Sequence, residues 1–288
     1  MDINKSSIEI SRQIQKACIL EVCAPKPGNV NREHDFPDLR FEDFLLSAIA
    51  IGPAFESAGQ CSVGQIIRRA TEDTRRMVRS NTNLGMILLM APLAKACANA
   101  AGQEHLRQSL DAVLNSLDVE DARQAYAAIR LAQPGGLGRV PEADIAEEPT
   151  ITLRQAMALA RDRDSVAREY AEGFKITFDI GLPALKEGLA RGADFRDAIV
   201  HSYLCILSRV PDTLIARKRD FDTAHRISLR AAEVLSLGGV FAPRGRAALA
   251  EFDRELRDPG HTLNPGTTAD LTAASVFLSL PRISPIFV

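Results

Sequence analysis

The sequence predicts an all-α protein, a single compact domain of residues 1–288 with roughly ten or more helices. Three observations lead to this fold class. Apolar residues recur mostly at every third or fourth position, which is the helical period. Several Ser, Thr and Asp residues stand where helix N-caps are expected. No Asn-Gly or Asp-Gly turn joins alternating β-branched segments, and no strand–helix alternation indicates a Rossmann or P-loop fold.

The predicted helices follow one another along the chain, each with an apolar stripe. Two of them begin at acid or hydroxyl capping pairs, Asp118 with Asp121 and Thr152 with Gln155. In the first half the helices run over 8–22, 41–58, 63–78, 84–100 and 118–130. In the second half they run over 152–161, 165–188 with a kink near Pro183, 195–208, 221–237, 244–256 and 268–279.

Composition and charge exclude several classes of protein. The hydrophobic content of 46% and charged content of 25% are those of a soluble globular protein. A net charge of -2 gives no basic field for nucleic acid or an anionic membrane. No apolar segment is long enough to span a bilayer, and the polar N-terminus lacks a signal-peptide core. The five cysteines form no CxxC pair, so we expect a reduced, cytoplasmic protein. Exposed apolar helix faces would allow a homodimer, although no motif indicates one.

The segment 133–150 interrupts the helical pattern. It contains three prolines, three glycines and several acids, so no regular element is predicted there. A loop of this length is either a surface linker or a functional flap.

The segment from Asn264 to Leu271 is the strongest candidate for a binding site. A Pro-Gly turn leads into an apolar helix whose beginning carries the hydroxyls of Thr267 and Thr268 and the carboxylate of Asp270. Amides and the positive end of the helix dipole favour a phosphate there, or a magnesium-bound phosphate held through Asp270. The alternative is an ordinary helix with Thr267 or Thr268 as N-cap.

A second polar motif, Pro-Lys-Pro-Gly, follows directly after a helix that contains Glu21. Pro27 and the proline before Lys26 stiffen the backbone, and Gly28 lets another group approach closely. A lysine on a rigid loop suits a point charge directed at a phosphate. The alternative is a simple helix stop.

Two further motifs stand at helix ends. Asn81-Thr82-Asn83-Leu84-Gly85 offers amides and a hydroxyl at a helix beginning, where capping explains only some of these residues. Asp212 precedes Arg217 and Lys218 on a short helix. An acid and two bases so close together suit a metal-bound phosphate, or else a solvated helix with a capping Asp.

The remaining polar residues give weaker indications of a functional site. Arg168 and Glu172 are spaced for a surface pair, and His201 on an apolar helix indicates a core residue. The histidines lack zinc-ligand spacing, and no GxSxG, HExxH or Walker motif is present.

The order of these motifs resembles the triphosphoribosyl-dephospho-CoA synthase family from about Ile8 to Leu280. The motifs that carry the resemblance are Glu21 with Pro25 to Gly28, Asn81-Thr82 with Gly85, Arg168-Glu169 with Gly173-Phe174, Asp212-Thr213, and Asn264 to Gly266 with Ala269 to Leu271. That family is all-α. Its activity transfers the triphosphoribosyl unit of ATP to a ribose hydroxyl of dephospho-CoA and releases adenine. The product is the precursor of the prosthetic group of citrate lyase or malonate decarboxylase acyl carrier proteins.

The resemblance implies ATP and dephospho-CoA, or a related acceptor, as substrates, with Mg²⁺ on the triphosphate. For this chemistry we expect Lys26 on phosphate, Asp212 and Asp270 on Mg²⁺, and Glu21 as general base. The remaining expected binding residues are Pro27, Gly28, Asn81, Thr82, Gly85, Arg217, Lys218, Asn264, Gly266, Thr267 and Thr268.

The Asn81-Thr82-Asn83-Leu84-Gly85 motif departs from the family pattern. The family reads Asn-Thr-His-Lys-Gly where this chain has Asn83 and Leu84 in place of the His and Lys. The loss of a base and a cation leaves two alternatives open. One is a nucleotide-dependent enzyme of another cofactor pathway, such as pterin or one-carbon carrier biosynthesis. The other is a catalytically silent nucleotide-binding protein.

Overall fold

The computed structural model describes residues 3–100, 102–136 and 138–280. The described residues form α-helices joined by loops, and no β-strand is present among them, which confirms the all-α prediction. Two isolated β-bridges, Asn31 with His34 and Phe36 with Leu39, shape one loop. No helix in the described ranges is long and apolar enough to cross a membrane.

The chain divides into two compact units, and the first comprises Met1–Lys16 and Glu42–Phe174. Its helices are the first part of α1 (Ile3–Cys23), α2 (Phe41–Ala50), α3 (Gly52–Phe55), α4 (Val63–Met77), α5 (Leu84–Asn99), α6 (Leu106–Ser116), α7 (Val119–Ala132), α8 (Leu153–Ala160) and α9 (Ser165–Glu172). Helix α5 is apolar on nearly every face and buried from Met86 to Ala94, as expected of a central helix. Helices α4, α6 and α9 pack around it.

The second unit comprises Ala17–Phe41 and Lys175–Val288. It holds the rest of α1, then α10 (Leu182–Ala190), α11 (Phe195–Leu207), α12 (Thr213–Lys218), α13 (Phe221–Ser236), α14 (Pro243–Leu256) and α15 (Gly266–Ser279). Helices α11 and α15 pack against each other and are the buried core elements, since nearly all their side chains are inaccessible to solvent. The single-domain organisation stays a prediction.

Most predicted helix bounds match within two residues, but α1 begins at Ile3 instead of at Ile8, and three further segments differ. Helix α6 was not predicted, because its apolar stripe of Leu106, Leu110 and Leu114 has no capping residue in front of it. The helix predicted over 41–58 ends at Ala50 and resumes as α3 with a proline in its first turn. The helix predicted over 165–188 stops at Gly173, whose φ of 69° ends α9 in the left-handed conformation.

Beyond Gly173 the chain re-enters a helical path through one π-helical turn, Thr177–Gly181, directly before Pro183. The predicted kink near Pro183 is therefore this π turn. The capping pairs predicted for α7 and α8 are confirmed, with Asp121 N donating to Asp118 at 2.8 Å and Gln155 N to Thr152 at 3.3 Å.

The segment 133–150 contains no helix in its described part and is fastened to α7. Tyr126 Oη donates to Ala143 O at 2.8 Å, and Arg130 donates to Ile145 O at 2.8 Å. Asp144 accepts from the amides of Val140 and Ala146, which organises the loop from within.

Candidate functional site

Three of the sequence motifs meet in the second unit. The Pro-Lys-Pro-Gly loop, the Asp212 motif and the beginning of α15 are joined by direct hydrogen bonds. The residues involved lie more than fifty positions apart in sequence, so these contacts are tertiary. We describe this cluster, from Glu21 to Asn29 with Asp212 to Lys218 and Asn264 to Asp270, as the candidate site.

Lys26 is buried, with 1% of its surface exposed, and its ammonium group faces the end of α1. Nζ donates to Glu21 O at 2.5 Å and to Ala24 O at 3.3 Å. It also lies 2.9 Å from Glu21 Oε1, an ion pair without hydrogen-bond geometry. Burial raises the pKa of Glu21, and the nearby Lys26 charge opposes that shift. The lysine thus closes the C-terminal end of α1, where a cation complements the helix dipole.

The backbone of the three residues after Lys26 is held by side chains of α11, of α14 and of the residue just after α14. Pro27 O accepts from Tyr203 Oη at 2.8 Å, and Gly28 N donates to Asp253 Oδ1 at 2.8 Å. Asn29 O accepts from Arg257 at 3.2 Å.

Asp253 and Arg257 also form a two-bond ion pair with each other, at 2.8 Å for both bonds. The sequence analysis missed Tyr203, Asp253 and Arg257. Their only signals are an i,i+4 acid–base spacing shared with many surface pairs and one tyrosine in an apolar helix.

Gly28 cannot be replaced without strain. Its φ is 76°, in the left-handed region, and a Cβ there would lie 2.8 Å from Leu256 Cβ and 3.1 Å from Pro265 Cδ. The glycine therefore lets the loop pack directly against α14 and the turn before α15.

Asp212 is buried, with 1% of its surface exposed, and connects two helix beginnings. Oδ1 accepts from the amides of Leu214 and Ile215 at 2.8 and 3.1 Å, which confirms its predicted role as N-cap of α12. Oδ2 accepts from Thr268 N at 2.7 Å and Thr268 Oγ1 at 2.8 Å. Burial raises the pKa of Asp212, and the hydrogen bonds from Thr268 and Ile215 oppose that rise.

Helix α15 begins differently from the capped-helix alternative. Its N-cap is Pro265, without a side-chain cap, so neither Thr267 nor Thr268 is the N-cap. Thr267 instead accepts from Thr213 Oγ1 at 3.2 Å. Just before the helix, Asn264 Oδ1 accepts from Asn29 Nδ2 at 2.5 Å. Gly266 lies where a Cβ would come within 2.6 Å of Leu214 Cδ2.

The predicted cation Lys218 lies at the end of α12 and is half-buried. Nζ donates to His261 O at 3.0 Å. Burial lowers the pKa of Lys218, while the carboxylates of Asp38, Asp258 and Asp212 oppose that shift. Arg217 and Asp270 are each partly accessible, in the last turn of α12 and the early part of α15. The cluster therefore combines two partly accessible cations, Arg217 and Lys218, with one partly accessible acid, Asp270.

The predicted binding residues Asn81, Thr82 and Gly85 belong to the first unit, and the candidate site lies in the second. Asn81 Oδ1 accepts from Leu84 N at 3.2 Å, and Thr82 Oγ1 lies 2.5 Å from Ser47 Oγ. Gly85 is the second residue of α5. Asn83 and Leu84, at the positions of the family's His and Lys, are 5% and 6% exposed.

Comparison with known proteins gives a family match and relatives that bear the name of one enzyme. A family model described as CitG: ATP:dephospho-CoA triphosphoribosyl transferase matches residues 7–283. A 2-(5''-triphosphoribosyl)-3'-dephosphocoenzyme-A synthase from Klebsiella pneumoniae is 26% identical over 282 residues, covering 91% of each chain. A protein assigned the same name from Pseudomonas savastanoi pv. phaseolicola is 26% identical, covering 88% of this chain and 84% of its own.

A similar fold has been solved. A crystal structure of an Archaeoglobus fulgidus protein assigned as triphosphoribosyl-dephospho-CoA synthase aligns with a TM-score of 0.64 at 29% sequence identity. The alignment covers 82% of this chain and 97% of the archaeal one.

Proposed function

Because this chain belongs to the ATP:dephospho-CoA triphosphoribosyl transferase family, we propose that it transfers the triphosphoribosyl unit of ATP to dephospho-CoA. The observation that carries the proposal is the family match over residues 7–283, almost the whole chain. The candidate site supports it, because motifs separated along the sequence converge in the second unit.

The reaction requires one bond to form and one to break. A ribose hydroxyl of dephospho-CoA attacks the anomeric carbon of the ATP ribose, and the bond from that carbon to adenine breaks. The proton lost by the hydroxyl balances the one that adenine gains. The transition state has oxocarbenium character, so catalysis depends on holding the triphosphate still and on removing the hydroxyl proton.

The structure refines the roles that we propose for individual residues. In this proposal Lys218 and Arg217, both partly accessible at the end of α12, bind the triphosphate, and Asn264 contributes its amide. Lys26 contributes its charge from within the protein, because its ammonium group already contacts Glu21 and Ala24. Glu21 is buried against that lysine, and burial raises its pKa, which makes its carboxylate a stronger proton acceptor than an exposed one.

Magnesium fits this site only in part. Both oxygens of Asp212 already accept hydrogen bonds from Leu214, Ile215 and Thr268, so Asp212 does not fit as a direct ligand. No group of three or more His, Cys, Asp or Glu in the described ranges could hold a metal by itself. Mg²⁺ commonly binds through one or two carboxylates plus substrate phosphates. We therefore propose Asp270 as its protein ligand, where the ion would neutralise triphosphate charge.

The test is incubation of the purified protein with ATP, Mg²⁺ and dephospho-CoA, following free adenine and product mass. We expect adenine release only when both substrates are present, together with a triphosphoribosyl mass gain on dephospho-CoA. Asp270→Asn should raise the Mg²⁺ concentration needed for half-maximal rate. Asp222→Asn, which changes an exposed acid in the first turn of α13, is the matched control. Full activity of Asp270→Asn at low Mg²⁺ would exclude that ligand role.

A second candidate function is transfer to a different acceptor, for example a precursor of a pterin or one-carbon carrier. The observation in its favour is that Asn83 and Leu84 are buried where the family has a base and a cation. Asn83 Nδ2 donates to Ser47 O and Thr74 Oγ1 and so serves the fold. An ATP-dependent rise in the melting midpoint, without adenine release from ATP when dephospho-CoA is the acceptor, would favour this alternative over the first. Adenine release should then appear with another acceptor, and its absence with every acceptor would indicate a silent binding protein.

A further inference from the structure

The backbone of the Pro-Lys-Pro-Gly loop is held by side chains from elsewhere in the second unit. Three consecutive residues, Pro27, Gly28 and Asn29, each give one backbone group to a side chain of α11 or α14 or of the residue just after α14. Loop amides and carbonyls more often meet water or a neighbouring turn. Hydrogen bonds to three successive residues therefore fix the backbone conformation of this part of the loop.

The three side chains that hold the loop are held in place by burial or by pairing with each other. Tyr203 is fully buried, and burial raises the pKa of its hydroxyl, which stays protonated and able to donate. Asp253 and Arg257 are locked to each other by two hydrogen bonds and are less than a quarter exposed. Planar two-bond pairing of this kind orients both partners.

The held loop leads directly to the substrate-facing part of the candidate site. Asn29 donates to Asn264, which immediately precedes the Pro-Gly turn of α15. Gly28 would clash with Pro265 if it carried a Cβ, so the loop and the turn lie in van der Waals contact. A shift of the loop would therefore displace the beginning of α15.

We propose that Tyr203, Asp253 and Arg257 are positioning residues for the triphosphoribosyl transfer. They touch no reacting atom, and they act by holding the loop of Pro27 to Asn29, and through it Asn264, in the geometry that ATP requires. Small displacements of positioning groups are costly to rate, since transfer depends on near-attack geometry. This inference rests on the proposed function.

The experiment compares Asp253→Ala and Arg257→Ala with Arg230→Ala. Arg230 is the matched control, because its side chain is exposed to a similar degree as that of Arg257, 21% against 18%, and it also pairs with carboxylates of α14, Glu251 and Glu255, instead of with the loop. Steady-state adenine release gives kcat and KM for ATP. We expect kcat/KM for ATP to fall about tenfold or more in the first two variants and to change less than about twofold in Arg230→Ala. Because both residues act on one loop, the double variant should lose little more than the worse single variant.

Tyr203→Phe keeps the proposal testable if an alanine variant does not fold. It keeps the buried ring and removes only the hydroxyl bond to Pro27 O, so we expect a folded protein with a reduced kcat/KM. Kinetic constants equal to wild type in folded Tyr203→Phe and Asp253→Ala, with only a lower melting midpoint, would show a purely structural role and overturn the positioning role alone. No adenine release by the unmodified protein would overturn the proposed function, and this inference with it.

Discussion

Two buried helices of this protein begin with similar motifs but are anchored in different ways. Helix α5 follows Asn81-Thr82-Asn83, and its beginning is held by neutral contacts with Ser47 and Thr74 in its own unit. Helix α15 follows Asn264-Pro265-Gly266, and its beginning is held by the buried carboxylate of Asp212.

The difference shows that the same residue types at a helix beginning serve different purposes according to the charges around them. The α5 contacts described above join hydroxyls and amides, and none of them involves a charged side chain. The α15 beginning is bonded to Asp212, whose charge interacts with those of Arg217 and Lys218, and Asp270 follows in the same helix. A triphosphate needs charges as well as amides, so the α15 end is the better candidate for the donor substrate.

The largest expected effect is at Asp212, the anchor of α15. Asp212→Ala leaves the amides of Leu214, Ile215 and Thr268 without their acceptor, and we expect a loss of about 3–5 kcal/mol in the free energy of unfolding. Urea denaturation measures it. Asp220→Ala removes an exposed N-cap that serves one amide, so its loss should be smaller. Equal losses in the two variants would show that the buried Asp212 stabilises the protein no more than the exposed N-cap Asp220.

The next effect is at Gly28, which packs against the turn before α15. Gly28→Ala adds a left-handed alanine and a contact of 2.8 Å with Leu256, and we expect a loss of about 2–4 kcal/mol. Gly192→Ala is the control, because Gly192 also has positive φ but nothing lies within 4 Å of its added Cβ. Its loss should be only about 1–2 kcal/mol. The difference between the two, measured by urea denaturation, isolates the clash at the α15 turn.

A third expected effect is a pH dependence at Glu21. Burial raises its pKa in the folded protein above the ordinary value of 4.5, so the folded state binds a proton more tightly than the unfolded chain. The stability of wild type relative to Glu21→Gln should be greatest below pH 4.5 and fall as the pH rises from there through the folded pKa, by at most about 1.4 kcal/mol per pH unit. Urea denaturation of both proteins at a series of pH values tests this. If the stability of wild type relative to Glu21→Gln instead rose with pH, the pKa of Glu21 would be lowered in the folded protein. The Lys26 charge would then outweigh the effect of burial.

The smallest expected effect is at the α5 end. Thr82→Val removes one hydroxyl contact with Ser47, whose own hydroxyl still donates to Asp43 O. We expect a loss of about 1 kcal/mol, well below that of Asp212→Ala. Thermal unfolding followed by circular dichroism suffices. A loss as large as that of Asp212→Ala would show that the beginnings of α5 and α15 contribute equally to stability, against our expectation.

The fold was predictable where the local signal was strong. Capping pairs such as Thr152 with Gln155 and apolar stripes gave most helix bounds, since both depend on neighbours within one turn. Helix α6 was missed because its stripe lacks a cap, and the interruption at Gly173 was missed because an apolar pattern continues on both sides of it. Local sequence reports the period of a helix better than its breaks.

The candidate site was predictable in its residues more than in its contacts. The motif order led to Asp212 and Thr268 separately, but their hydrogen bonds join residues 56 positions apart and depend on the folded chain. The inward direction of Lys26 could not be foreseen either, because a lysine between prolines suits a phosphate and a helix end equally well. Tyr203, Asp253 and Arg257 act on the backbone of another segment, and such partners leave no local pattern.

The burial of Lys26 makes it an internal reporter of loop opening. Its side chain is 1% exposed, and its ammonium group contacts the Glu21 carboxylate and two backbone carbonyls, so an amine-reactive reagent should modify it only while the end of α1 and its loop separate. Exposed lysines would react at once, and the slow appearance of modified Lys26 in peptide mass spectra would time that opening. Retardation of this labelling by ATP would then record nucleotide binding without any turnover.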